Sequence, residues 1–191
     1  MARLFLIRHG EPEAAWGGDC DDPGLSARGR AQAARAAEAL AGKGGLAALS
    51  SPMRRCRETA APYLSRAGIA AATARAEFGE VATAPSVSDR RGWLTEHFPW
   101  RAGLAPRRWD EVTPDLRGWR DAVLEAAVAV AEDTALFTHF IASNVIVGAA
   151  MQSPHTIVFL PDYASITELD VRGGAFTLHR LGEEMREGEV R

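Results

Sequence analysis

The sequence predicts an α/β protein, a three-layer α/β/α sandwich with a mostly parallel central sheet, an antiparallel edge strand and a small inserted cap region. Three observations carry that expectation. Short apolar runs end in polar turns and lead into helix-forming stretches three times along the chain. Near the end the pattern changes to strand-like segments, two of them joined by Arg172-Gly173-Gly174, which is a hairpin signal at one edge of the sheet. Around residues 81–114 the alternation is interrupted: periodicity weakens while Pro, Arg and Trp accumulate, as in an insertion over the sheet.

Taken in order, residues 4–7 form a short buried strand, and the Gly, Pro and Asp residues from Gly10 to Gly24 form a long loop. Ser26 then caps an Ala-rich helix that runs to a glycine stop. Residues 46–51 are a second strand, followed by a helix over about 53–66 that ends near Gly68. After the insertion come a helix over 114–132, a third strand over 134–139 and the helix of "IASNVIVGAAM". "HTIVFL", "SITELDV" and "FTLHRL" read as strands, and the charged tail from Gly182 onward reads as frayed.

At 191 residues the chain suits one domain, 1–191, carrying the cap at about 81–114. An apolar fraction of 47% and a charged fraction of 25% exclude disordered and collagen-like classes. A net charge of −3 gives no field for wrapping nucleic acid, so anion binding has to be local. Cys20 and Cys56 form no CxxC and belong to no His/Cys cluster, which argues against a disulfide framework or zinc site and fits a reducing cytoplasm. The opening apolar run is too short for a signal-peptide core, and no later run reaches membrane-spanning length.

Three strand ends deposit the same chemistry: Arg8-His9-Gly10, Arg54-Arg55 and His139. In open α/β sheets the carboxyl ends of parallel strands converge on one crevice, so these residues can meet. A pocket of guanidinium forks, imidazoles and a helix start suits phosphate or a similar oxyanion. A neutral imidazole nitrogen is also a competent nucleophile toward phosphorus. Gly10 permits close backbone approach, and a nearby main-chain carbonyl would take the His9 Nδ1 proton and aim Nε2.

Each of these elements has an ordinary structural reading when taken alone, and it is their order that is specific. "LFLIRHGEP", "DPGLSARGRAQA", "SSPMRRCRETA", "LFTHFIASNVIVGAA" and "PDYASITEL" together resemble the histidine phosphatase superfamily, the phosphoglycerate-mutase-like fold, over nearly the whole chain. The resemblance implies that His9 is transiently phosphorylated and that Arg8, Arg55 and His139 complete the phosphate pocket. Arg55 is preferred to Arg54 because it stands four residues after Ser51 and four before Thr59, as the family pattern requires. Glu80 is the preferred proton donor, in a Phe78-Gly79-Glu80 context with Pro85 beyond it, and Glu77 is the alternative. Glu11 is read as a loop residue near the site.

The function implied is a metal-independent phosphatase that hydrolyses a phosphomonoester, a small molecule or a phosphoprotein, through phosphohistidine and without a cofactor. A mutase-type phosphotransferase and a phospho-ligand binding module that has lost its acid are the alternatives, with a nucleic-acid-binding protein further behind. The Arg/Trp insertion either contacts substrate or is a cap packed by its own tryptophans. Ser143 and Asn144 either fix the His139 region or start a helix, and Ser51 and Thr59 are read with the same reserve. His97, His155 and His179 are surface or packing residues.

Overall fold

β1 (Ala2–Arg8) runs through the middle of the sheet, and its alternating side chains divide the core in two. The coordinates are a computed structural model that describes residues 1–14, 22–83, 87–101 and 103–185. Phe5 and Ile7 point to one face, where they meet α1 (Ala27–Ala41) and α2 (Arg54–Ala67) through Ala36, Leu40, Cys56, Ala60 and Tyr63. Leu4 and Leu6 point to the other, against α4 (Pro114–Val128) and α5 (Phe140–Ala150) through Val123, Ala127, Ile141 and Val145. A strand buried on both faces is nearly continuous in apolar residues, as "LFLI" is.

The other strands are β2 (Ala47–Ser50), β3 (Thr73–Ala74), β4 (Thr134–Thr138), β5 (Ile166–Arg172) and β6 (Ala175–Arg180), in the order β3-β2-β4-β1-β5-β6. β1, β2, β3 and β4 are parallel. β5 is antiparallel to β1, and β6 pairs antiparallel with β5 through the hairpin at Gly173 and Gly174, both with positive φ. The order places the carboxyl ends of β1, β2 and β4 side by side.

Local signals explain the helix ends. Ser26 Oγ accepts the Gly29 N–H at 3.0 Å, the N-cap expected there. Gly68 closes α2 in the left-handed conformation, φ 68°, where a Cβ would be strained.

Several expectations are corrected. Residues 157–160 form no strand, because the Asn144 side chain takes the N–H groups of Val158 and Phe159 at 2.8 and 3.1 Å, bonds that a sheet neighbour would otherwise supply. α4 stops at Val128, not 132. The tail is not frayed from Gly182: Met185 is buried, its N–H bonds Leu160 O at 2.8 Å, and Glu184 accepts the Leu160 N–H. β3, two residues long, had no sequence signal.

The segment expected to be a cap contains α3 (Arg90–His97) and a 3-10 turn over Trp109–Glu111. Its Val81, Leu94, Phe98, Trp100, Trp109 and Val112 join the core on the α4–α5 side. Trp100 meets Phe140 and Trp109 meets Phe98 edge to face, at 6.4 and 6.0 Å between ring centroids. These tryptophans are packing residues. Cys20, Pro85 and part of the loop between Gly10 and Gly24 lie outside the described residues.

Candidate active site

Arg8 ends β1 and pairs in register with Thr138 at the end of β4, so His9 and His139 leave two neighbouring parallel strands together. Their rings stand 5.2 Å apart at 65°. Arg55, in the first turn of α2, joins them from the end of β2. Arg8, His9, Arg55 and His139 are all buried.

His9 is held from its backbone and its ring. Its N–H bonds Thr138 O at 2.9 Å, and Nδ1 lies 2.8 Å from the Gly10 carbonyl oxygen. A carbonyl only accepts, so Nδ1 carries the proton and Nε2 keeps its lone pair. Nε2 has no protein partner among the described residues. Burial, followed by the charges of Arg55 and Arg8, holds the imidazole well below its ordinary value of 6.5, and it is therefore neutral at physiological pH.

The mount of His9 depends on two glycines. A Cβ on Gly10 would stand 2.6 Å from Gly29 O, and one on Gly29 would stand 2.1 Å from Glu11 O. The loop after β1 thus lies directly on the first turn of α1. Glu11 is locked there, its N–H on Gln32 Oε1 and its carboxylate accepting from Ser26 and Arg28. The Gly10 N–H bonds Thr59 Oγ1, which in turn donates to Arg55 O, so α2 and the His9 loop are tied through Thr59.

His139 is satisfied differently. Nδ1 lies 3.2 Å from Arg55 Nη2, and Nε2 lies 2.8 Å from Ser51 Oγ with Cys56 Sγ at 3.3 Å. A guanidinium only donates, so Nδ1 is the acceptor and Nε2–H donates to Ser51. Burial, then Arg55, His9 and Arg8, keep this ring neutral as well. The Cys56 thiol is pushed up to about 12 by burial and stays protonated.

Arg8 is clamped. Nη1 donates to Pro161 O at 2.8 Å, and the guanidinium lies 3.9 Å from the centre of the Tyr163 ring. Its Nε is buried with no partner among the described residues. Next to Tyr163, Ala164 adopts φ 57° while its N–H bonds Arg8 O, a strained contact at the site. Within "PDYASITEL" nothing in the sequence sets Tyr163 apart as a site residue. A Tyr beside strand β5 has no local signal that it will cover an arginine from β1.

The two candidate acids separate clearly. Glu77 forms an exposed ion pair with Arg75 at 2.9 Å, and that bond holds its carboxyl below the usual range. Glu80 instead lies at the start of α5, accepting the N–H groups of Ile141 and Val81 at 3.1 Å each. It supplies the helix cap that the His139 side chain does not. Burial raises Glu80 to about 7, against the opposing pull of those N–H groups and of Arg55 and Arg8. Thr138 Oγ1 donates to Phe78 O at 2.8 Å and fixes the turn that carries it.

Ser51 therefore belongs to the pocket, Thr59 to its frame, and Asn144 to the support of residues 157–160, behind Pro161. Arg54 lies on the exposed face of α2, paired with Glu58 at 2.7 Å. His97 stacks on Trp93 and His179 pairs with Asp170, away from the pocket. Among the described residues no three His, Cys, Asp or Glu side chains converge as metal ligands would, and no helix is long and apolar enough to cross a membrane.

Residues 4–184 match the sequence profile described as "Histidine phosphatase superfamily (branch 1)". A 74-residue stretch is 40% identical to an uncharacterized protein of Mycobacterium tuberculosis, covering 37% of this chain and 37% of that one. The fold is similar to that of a mycobacterial glucosyl-3-phosphoglycerate phosphatase, with TM-score 0.72, 21% identity and coverage of 97% of this chain and 100% of the other. It is also similar to a phosphoserine phosphatase variant from Entamoeba histolytica solved in complex with phosphoserine, with TM-score 0.69, 18% identity and coverage of 96% and 98%.

Proposed function

The chain belongs to the histidine phosphatase superfamily (branch 1), and from that premise we propose that it is a metal-independent phosphatase acting on a phosphomonoester through phosphohistidine at His9. The observation that carries this reading is the His9 ring: neutral, with Nδ1 on the Gly10 carbonyl and Nε2 uncommitted, on a rigid strand end between two arginines. The names of the similar phosphatases support a phosphorylated small molecule as the substrate class.

In the first step His9 Nε2 attacks phosphorus, the bond from phosphorus to the leaving oxygen breaks, and that oxygen takes the proton of Glu80. A carboxyl raised to about 7 holds such a proton at neutral pH. In the second step the Glu80 carboxylate takes a proton from water, the water oxygen attacks phosphorus, the N–P bond breaks and His9 is restored. Arg55 and Arg8, whose Nε has no partner among the described residues, stabilise charge on the equatorial oxygens. His139 holds Arg55 in place before the phosphoryl group arrives.

The test is phosphate release from an aryl phosphate with a metal chelator present, comparing wild type with His9→Ala. Chelator-resistant hydrolysis that the substitution abolishes is expected. Loss of activity to the chelator, or retained activity in His9→Ala, would overturn the reading.

A further inference from the structure

Asp22 stands where the loop after β1 meets α2. Its carboxylate accepts the Arg54 backbone N–H at 2.8 and 3.0 Å, and its Oδ1 lies 3.8 Å from Arg55 Nη1. One carboxylate thus faces both the positive end of the helix and the guanidinium assigned to phosphate. The other side-chain contacts of Arg55, Met53 Sδ and His139 Nδ1, are uncharged, so Asp22 is its one ion-pair partner among the described residues. The pair is lopsided: the Arg55 side chain is 6% exposed and that of Asp22 44%. At 3.8 Å the contact is one of charge without a hydrogen bond, so Asp22 does not occupy the N–H groups of Arg55 Nη1, while Nη2 is engaged by His139 and Met53.

A pocket of two buried arginines binds inorganic phosphate as readily as the phosphate of a substrate, and tight binding of both adds nothing to turnover. A carboxylate 3.8 Å from Arg55 lowers the attraction for either dianion. We infer that Asp22 sets the phosphate affinity of the pocket, weakening it so that inorganic phosphate leaves after each cycle; this rests on the phosphatase reading above. Asp22 acts through Arg55 and takes no part in bond making.

Asp22→Asn separates charge from structure, because the amide oxygen still accepts the Arg54 N–H while the charge is gone. Calorimetric titration of the full chain with inorganic phosphate at low ionic strength is expected to show about threefold to tenfold tighter binding than wild type. The Tm is expected to be unchanged, and added salt to shrink the gain. Asp22→Ala, which also loses the cap, is expected to bind phosphate more tightly than wild type despite a lower Tm. A residue that only capped α2 would give a different pattern: Asn equal to wild type and Ala weaker. That result, with aryl phosphate hydrolysis intact, would overturn the role of Asp22 alone. A wild type that neither binds phosphate nor hydrolyses aryl phosphate would overturn both readings.

Discussion

The ends of β1 and β4 are neighbouring parallel strand termini, and each delivers a buried, neutral imidazole to one crevice. They differ in what holds the ring. At the β1 end a single carbonyl takes Nδ1 and leaves Nε2 uncommitted. At the β4 end both nitrogens are engaged, one by Arg55 and one by Ser51. Position in the sheet brings both rings to the pocket; hydrogen-bond partners distinguish the proposed nucleophile from the proposed scaffold. A ring with both nitrogens engaged is suited to fixing an arginine, and a ring with one idle nitrogen to attacking.

Substitutions at the two ends should therefore differ in size and kind. The largest effect is expected from His9→Ala, with turnover falling by about 10⁴-fold or more while circular dichroism stays native. Glu80→Gln comes next, a loss of about 10²–10⁴-fold on alkyl phosphates and less on aryl phosphates, whose leaving group needs no proton. Because the acid is active only when protonated, wild-type turnover of an alkyl phosphate is expected to decline as pH rises through about 7, and the Gln variant to lack that limb in its pH–rate profile.

The third prediction concerns stability. The folded chain holds His9 and His139 well below 6.5, while the unfolded chain titrates near that value. Below pH 6.5 the unfolded state binds more protons, so these rings take stability away as pH falls. Glu80, raised to about 7 from 4.5, acts in the other direction, its folded form binding the extra proton between those values. Tm measured from pH 8 to pH 5 should therefore fall less steeply in His139→Gln than in wild type. The smallest effect is expected from Ser51→Ala, which leaves the His139 Nε2–H only the weak Cys56 sulfur acceptor: a loss of about 1 kcal/mol, read as about a fivefold drop in kcat/KM.

Much of this was legible in the chain because the signals were local. "LFLIRHG" announces a buried strand and its rigid end, Ser26 and Gly68 mark helix termini, and Gly173-Gly174 turns the edge hairpin. Arg8, His9, Arg55 and His139 were readable because each ends or shortly follows a strand whose end faces the crevice. What escaped was settled by distant partners. "HTIVFL" has strand composition, but the Asn144 side chain satisfies two of its N–H groups in place of a neighbouring strand. Glu80 is preferred from its sequence context, but the contrast in surroundings, Arg75 beside Glu77 and the first turn of α5 beside Glu80, is not something spacing reveals. The tryptophans near residue 100 could have faced a ligand as easily as a core until Phe140 and Phe98 were placed beside them.

The most direct test of the division between the two imidazoles is to mix enzyme with substrate, quench rapidly into base, where a phosphohistidine survives, and map the phosphorylated residue by mass spectrometry. A single phosphoryl group is expected on His9, formed also by Ser51→Ala and absent from His9→Ala. A phosphoryl group on His139, or turnover in which neither histidine is ever labelled, would contradict it.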